Sequence, residues 1–150
     1  IGRPLKLAVI ETLPEEDDEG NEIEGTRDLF VIINPEIFWS SRETSKGMEG
    51  CLSIPGYLGE VERAESIRVR GLDRHGRKFR MRFDDWDARI FQHEVDHLNG
   101  IRFPDRVACS GGCLHWVEEA DTLEYRKSWQ NWPHNVSQET WDAMKTGKNK

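Results

Sequence analysis

Apolar residues recur in short alternating runs through the first 84 positions and at helical spacing just beyond them. Leu5 to Ile10 reads as a mostly buried strand, with Leu5, Leu7, Val9 and Ile10 apolar. Pro14 and an acidic stretch interrupt it. Leu29 to Ile33 is a second apolar run, stopped by the turn signal Asn34-Pro35. Gly20-Asn21 lies midway between the two runs, so an antiparallel pair joined by a long acidic excursion is expected. Thr44 to Ile54 is extended in character, because Gly47, Gly50, Pro55, Gly56 and Gly59 punctuate the region too often for a helix. Ile67 to Leu72 and Lys78 to Phe83 read as two further strands. Asp73-Arg74-His75-Gly76 between them has the composition of a hairpin turn.

The period changes after Phe83. Apolar residues at 86, 90, 91, 95 and 98 predict a helix over Trp86 to Leu98, with Asp84 or Asp85 as N-cap and Asn99-Gly100 as the stop. Its apolar positions cover more than one side, which places it against a sheet. Beyond Pro104 the pattern weakens. Val117 to Trp129 and Ser137 to Lys145 are helical in composition without a clean stripe, Trp116, Trp129, Trp132 and Trp141 read as aromatic surface, and Lys145 to Lys150 as a frayed end. The resulting expectation is an α+β fold, with mixed or antiparallel sheets packed around a central helix.

Composition narrows the class. The 150 residues fit one domain, and 33% charged residues with a mean hydropathy of −0.75 describe a well-solvated surface. No apolar run approaches the roughly 18 residues of a membrane span, and no basic-then-apolar leader pattern is present. Three cysteines, an odd number, argue against a disulfide framework and for a reducing compartment. The formal charge of −7 is uneven: Glu11 to Asp28 holds nine acids against Arg27, leaving about +1 for the rest. That segment reads as a solvated loop or hairpin tip, with docking of a basic partner the lesser reading. No localised basic patch is evident, so no nucleic-acid readout is expected.

Chemistry concentrates in His93-Glu94-Val95-Asp96-His97. At i and i+4 on a helix two imidazoles share one face and converge on one ion, while Glu94 projects beside them, placed to handle a proton. The competing reading, two exposed histidines, is weakened because Ile90, His93 and His97 form one stripe expected to face the buried side. A catalytic metal takes three protein ligands and keeps a position open. Cys51, Cys109, Cys113, His75, His115 and the acids are candidates for the third.

Cys51 lies in Met48-Glu49-Gly50-Cys51-Leu52-Ser53-Ile54-Pro55. Glu-Gly-Cys-Leu-Ser, followed some 40 residues later by Gln-His-Glu-x-Asp-His, resembles peptide deformylase, and the likeness runs from Leu5 to about Asp105. The resemblance implies a divalent ion held by Cys51, His93 and His97, ferrous iron by family and zinc, nickel or cobalt as alternatives. It implies that a metal-bound water attacks the formyl carbonyl, with Glu94 as general acid and base and the backbone N–H of Leu52 at the oxyanion. The substrate, the formyl-methionyl end of a newly made polypeptide, would lie by strand addition near Gly47 to Glu49 and Gly50, or at Gly56-Tyr57-Leu58, with Ile90 walling the methionine pocket. Glu49 pairs with Arg63 or is a plain surface carboxylate. Asp96 orients a ligand imidazole or faces solvent. The bacterial cytoplasm, with the ribosome exit as a place of action, follows from the same resemblance.

Residues 1–106 are read as the catalytic domain and 107–150 as a divergent, partly helical extension. The chain opens at Ile1-Gly2-Arg3-Pro4, which resembles the stretch directly after the family's Gly-rich motif ending in Gln, an oxyanion donor. Without that donor the polypeptide is expected to bind metal and catalyse weakly. Two alternatives stand beside the deformylase reading: a related metallopeptidase cleaving internal bonds, and a truncated relative that binds metal with little or no activity. Cys109-Ser-Gly-Gly-Cys113-Leu-His115 is a second cluster, read mainly as a turn with free thiols and less as a zinc site.

Overall fold

Side chains alternate between the faces of a strand, so each run above is tested by which residues end up buried. The computed structural model describes residues 5–109, 111, 112 and 114–116. They form β1 (Leu7–Glu11), β2 (Leu29–Ser40), β3 (Thr44–Cys51), β4 (Ile54–Ala64), β5 (Ser66–Leu72), β6 (Lys78–Asp84), α1 (Asp85–Leu98), α2 (Phe103–Cys109) and β7 (Leu114–Trp116). Strands paired antiparallel, with two helices, make this an α+β protein. The described residues fall into two units, one within 5–45 and 63–101 and the other within 46–62 and 102–116.

The first unit is a four-stranded sheet in the order β1-β2-β5-β6. Its core joins Ala8, Ile10, Ile32, Ile67, Val69 and Phe83 of the sheet to Ala88 and Phe91 of α1. The Phe83 and Phe91 rings stack at 3.7 Å between centroids, and Phe30 meets both edge-on at 5.4 and 5.5 Å. Buried Phe83 and Phe91 each contribute about 1.5–3 kcal/mol of hydrophobic stabilisation, and half-buried Phe30 less. The Asp73 carboxylate accepts the backbone N–H groups of His75 and Arg77 at 2.8 and 2.9 Å, and Gly76 takes φ +75, closing the β5–β6 hairpin as its composition predicts.

The expected pairing of the first two runs is present, with Ala8 opposite Ile32 and Ile10 opposite Phe30. The acidic segment forms the exposed excursion between them, turned at Asp17, whose side chain accepts the N–H groups of Glu19 and Asn21. Three details correct the reading. β1 is not mostly buried: Leu7 and Val9 face outward and only Ala8 and Ile10 point inward, because an edge strand in this sheet has one face on the core. Asn34-Pro35 does not stop β2, since Asn34 takes φ +50 at a shift in register between Ile33 and Glu36 and the strand runs on to Ser40. The helix does begin after Asp84, yet the Asp84 carboxylate makes no cap bond, being taken by Ser66 and Arg82.

The expectation of no basic cluster is also overturned. Arg68 lies opposite Arg82, Arg70 opposite Arg80 and Leu72 opposite Lys78, so five cations share the sheet face that turns away from the core. They are separated in sequence by the inward-pointing residues of the same two strands, which hid the patch from a linear count.

In the second unit β3, β4 and β7 form a sheet in that order, with Tyr57 opposite Trp116 and Gly59 opposite Leu114. Val61, Phe103, Val107 and Leu114 make its core, with Cys51, Ile54 and Tyr57 packed against it. The extended segment expected over Thr44 to Ile54 is broken by a turn at Leu52-Ser53, and a long strand, β4, follows through the region where glycine and proline obscured it. Gly59 carries no side chain because a Cβ there would lie 2.6 Å from Val107 Cγ2. α2 and β7 were not expected, and both fall where the apolar pattern weakens. The helices expected at 117–129 and 137–145 lie outside the described residues. Among the described residues no helix is long and apolar enough to cross a membrane.

Candidate metal centre

One helical turn separates His93 from His97, and the helix delivers what that spacing requires. The two Nε2 atoms lie 3.0 Å apart, with the rings 4.6 Å between centroids and perpendicular. Two nitrogens bound to one ion at about 2.0–2.1 Å across a tetrahedral angle stand about 3.3 Å apart. The pair is thus spaced for a shared ion. Both imidazoles and Glu94 are half-buried. This corrects the expected placement of the stripe: the buried face of α1 is carried by Ala88, Phe91 and Val95, and Ile90, His93 and His97 lie beside it, reachable by solvent. Trp86, counted with the apolar stripe, is 45% exposed at the helix start.

Three anchors hold α1 in register. The Arg63 guanidinium donates to the Asp96 carboxylate at 2.5 Å, with both side chains buried. The Gln92 amide donates to the Ala64 carbonyl at 2.9 Å and accepts the Ala64 N–H at 3.2 Å, continuing the strand's own hydrogen-bond pattern through a side chain. Buried Arg89 donates to the Ser45 carbonyl at 2.8 Å. Because Gln92 adjoins His93 and Asp96 adjoins His97, these bonds fix the part of the helix that carries the histidines. Asp96 therefore does not face solvent. Glu49 is likewise buried rather than a plain surface carboxylate. Gln92 and Arg89 went unrecognised in the sequence; a glutamine and an arginine on the inward side of an otherwise apolar helix were the available signals.

Cys51 ends β3 and is half-buried, and neither it nor Cys109 is in a disulfide. Among the described residues, Cys51, His93 and His97 are the one group of three His, Cys, Asp or Glu side chains suited to hold a single ion. A thiolate and two imidazoles suit a divalent transition metal. Leu52, at the turn after Cys51, has a fully exposed side chain. Gly47 and Gly50 lie in β3, and a Cβ on Gly50 would come 2.9 Å from Leu58 Cδ2. Tyr57 packs on the core of the second unit. The cluster read at 109–115 is not assembled among the described residues: Cys109 is exposed, His115 is 1% exposed, and Cys113 lies outside them.

Residues 1–111 match the family model described as polypeptide deformylase. A peptide deformylase of Bartonella tribocorum is 44% identical over 108 residues, covering 72% of this chain and 57% of that protein. One from Mesorhizobium japonicum is 45% identical over the same coverage. Among solved structures, a class I type b peptide deformylase from Acinetobacter baumannii with Met-Ala-Ser bound superposes with a TM-score of 0.54 at 42% identity, covering 65% of this chain and 61% of that one. The deformylase of Thermotoga maritima gives 0.52 at 40% identity, covering 53% and 54%. This chain spans less than two thirds of the length of these relatives.

Proposed function

This chain belongs to the polypeptide deformylase family, and we propose that it hydrolyses the formyl amide of formyl-methionyl polypeptides at a divalent ion held by Cys51, His93 and His97. The observation that carries this reading is the His93–His97 pair, 3.0 Å apart on a helix that also presents Glu94. When bound, the ion acts as a Lewis acid toward water and the formyl carbonyl. Fe²⁺ is assigned as that ion, and Zn²⁺, Ni²⁺ and Co²⁺ suit the same donors.

Glu94 takes a proton from the attacking water and returns it to the leaving amine. The C–O bond forms first, the C–N bond then breaks as the amine takes its proton, and the products are formate and a free α-amino group. The backbone N–H of Leu52 donates to the oxygen that gains charge as the carbonyl carbon becomes tetrahedral. Gly47, Gly50 and Tyr57 are assigned to the peptide backbone. β3 supports this as the end strand in the order β3-β4-β7, and an end strand offers backbone groups for strand addition. Ile90 is assigned to the methionine side chain. The Acinetobacter relative with Met-Ala-Ser bound supports a peptide with methionine first. Residues 1–106 are the proposed catalytic part, 107–150 an extension to it, and the bacterial cytoplasm, near the ribosome exit, the proposed place of action.

Formate release from formyl-Met-Ala-Ser, measured with metal content for the wild type and Glu94→Ala, tests the proposal. The variant should keep its metal and lose about 10²–10⁴ in rate. Equal rates in the two proteins would remove Glu94 from the mechanism. Cleavage of internal bonds in an unformylated peptide would favour a metallopeptidase.

A further inference from the structure

Like charges placed directly opposite each other in a sheet destabilise it. Here Arg68 faces Arg82 and Arg70 faces Arg80 on the outer side of β5 and β6, all exposed, with Lys78 at the end of the row. Arg70 is neutralised by Glu36 at 2.7 Å and Arg82 by Asp84 at 2.7 Å. Arg68, Arg80 and Lys78 have no carboxylate within ion-pair distance among the described residues.

The same face carries two aromatic rings. The register of β2 against β5 shifts between Ile37 and Trp39, and this bulge lets the consecutive residues Phe38 and Trp39 both reach the arginine side. Arg68 lies over the Trp39 ring at 5.2 Å, and Arg70 and Arg80 lie over Phe38 at 5.6 and 4.7 Å. Cation–π attraction to the rings positions these guanidinium groups; that of Arg70 is occupied by Glu36, whereas Arg68 and Arg80 keep N–H groups to fork onto a phosphate. Phe38, Arg68, Arg80, Met81 and Arg82 line a groove of about 400 Å³ here. The two arginines without a carboxylate partner, Arg68 and Arg80, stand diagonally across β5 and β6, a spacing of about 7–8 Å, which suits neighbouring phosphates of an extended single strand.

We propose that this outer face of β2, β5 and β6 binds single-stranded RNA, Arg68 and Arg80 on the phosphates and Trp39 stacking a base. Charge complementarity together with an aromatic platform favours a nucleic acid over an acidic peptide, which has the charge and no bases to stack. The choice of RNA over DNA rests on the proposed action on newly made polypeptides; the phosphate and stacking face does not.

Fluorescence anisotropy with a labelled mixed-sequence RNA 20-mer, on the full chain at a series of salt concentrations, tests this. Binding should weaken linearly in log–log form with salt, and Arg68→Gln/Arg80→Gln should reduce that slope by about 1.4, two phosphate contacts at about 0.7 each. Trp39→Ala should weaken binding about ten-fold or more. The arginine variant should melt no lower than the wild type, since it removes like-charge pairs, which separates lost binding from misfolding. No binding at 50 mM salt, or an unchanged slope in the arginine variant, would overturn the proposal. So would a poly-glutamate peptide binding as tightly as RNA with no effect of Trp39→Ala, or DNA of the same sequence binding more tightly than RNA. Formate release, measured in parallel, reports separately on the reaction proposed above.

Discussion

Asp96→Ala removes the carboxylate that faces the Arg63 guanidinium at 2.5 Å, where the two side chains are 4% and 9% exposed. At an effective dielectric of about 20, opposite charges at that distance attract by about 6–7 kcal/mol. Desolvation of the two ions offsets much of this, so the pair as a whole is worth little relative to an apolar replacement. Removing one partner is different, because the other charge stays buried without the ion pair at 2.5 Å. The expected loss is about 3–5 kcal/mol, a fall in Tm of roughly 6–20 °C for a chain of this size. Circular dichroism melts of the wild type, Asp96→Ala, Arg63→Met and the double variant Arg63→Met/Asp96→Leu provide the check. The double variant should recover most of what either single change loses. A loss below about 1 kcal/mol for Asp96→Ala, or additive losses in the double variant, would refute the reasoning.

Other outcomes follow from the same geometry. Gln92→Leu takes the side-chain partner from both the N–H and the carbonyl of Ala64; it should cost about 1–3 kcal/mol and weaken metal retention, read by denaturation and elemental analysis. Gly59→Ala forces a Cβ to 2.6 Å from Val107 Cγ2 and 3.2 Å from Leu114 Cδ2, and should cost about 1–3 kcal/mol by overpacking, whereas Gly59→Ala/Val107→Ala should recover part of that in the same melt. The Asp73 carboxyl is held below its usual 3.8, chiefly by the Arg77 backbone N–H, and that of Asp84 chiefly by the Ser66 hydroxyl and then Arg82. A carboxyl lowered in the folded state stabilises it above the unfolded value and loses that contribution as pH falls through the lower folded one. Tm should therefore begin to drop near pH 4, and Asp73→Asn should make that drop shallower.

Local rules carried the reading far where the determinants were close in sequence. The His93–His97 pair, the Asp73 to Gly76 turn, the Asn99-Gly100 stop and the β1–β2 pairing each depend on residues within one turn, one hairpin or one matched pair of runs, and each is where its pattern places it. Long-range partners were not legible. Asp96 is a helix residue of ordinary composition until β4 brings Arg63 to it from 33 positions away. Asn34-Pro35 reads as a turn, and only pairing with β5 turns it into a bulge within one strand. The arginine row is visible only once β5 and β6 are laid side by side in register.

The central claim is that one ion is held by a thiolate and two imidazoles beside Glu94. Titration of the metal-stripped chain with Co²⁺ tests it directly, since a coordinated thiolate adds a near-ultraviolet charge-transfer band that imidazoles alone do not. The expected result is saturation at one equivalent with that band present, the band lost in Cys51→Ser, and binding sharply weakened in His93→Ala and His97→Ala. A band that survives Cys51→Ser unchanged, or binding indifferent to both histidines, would contradict the account.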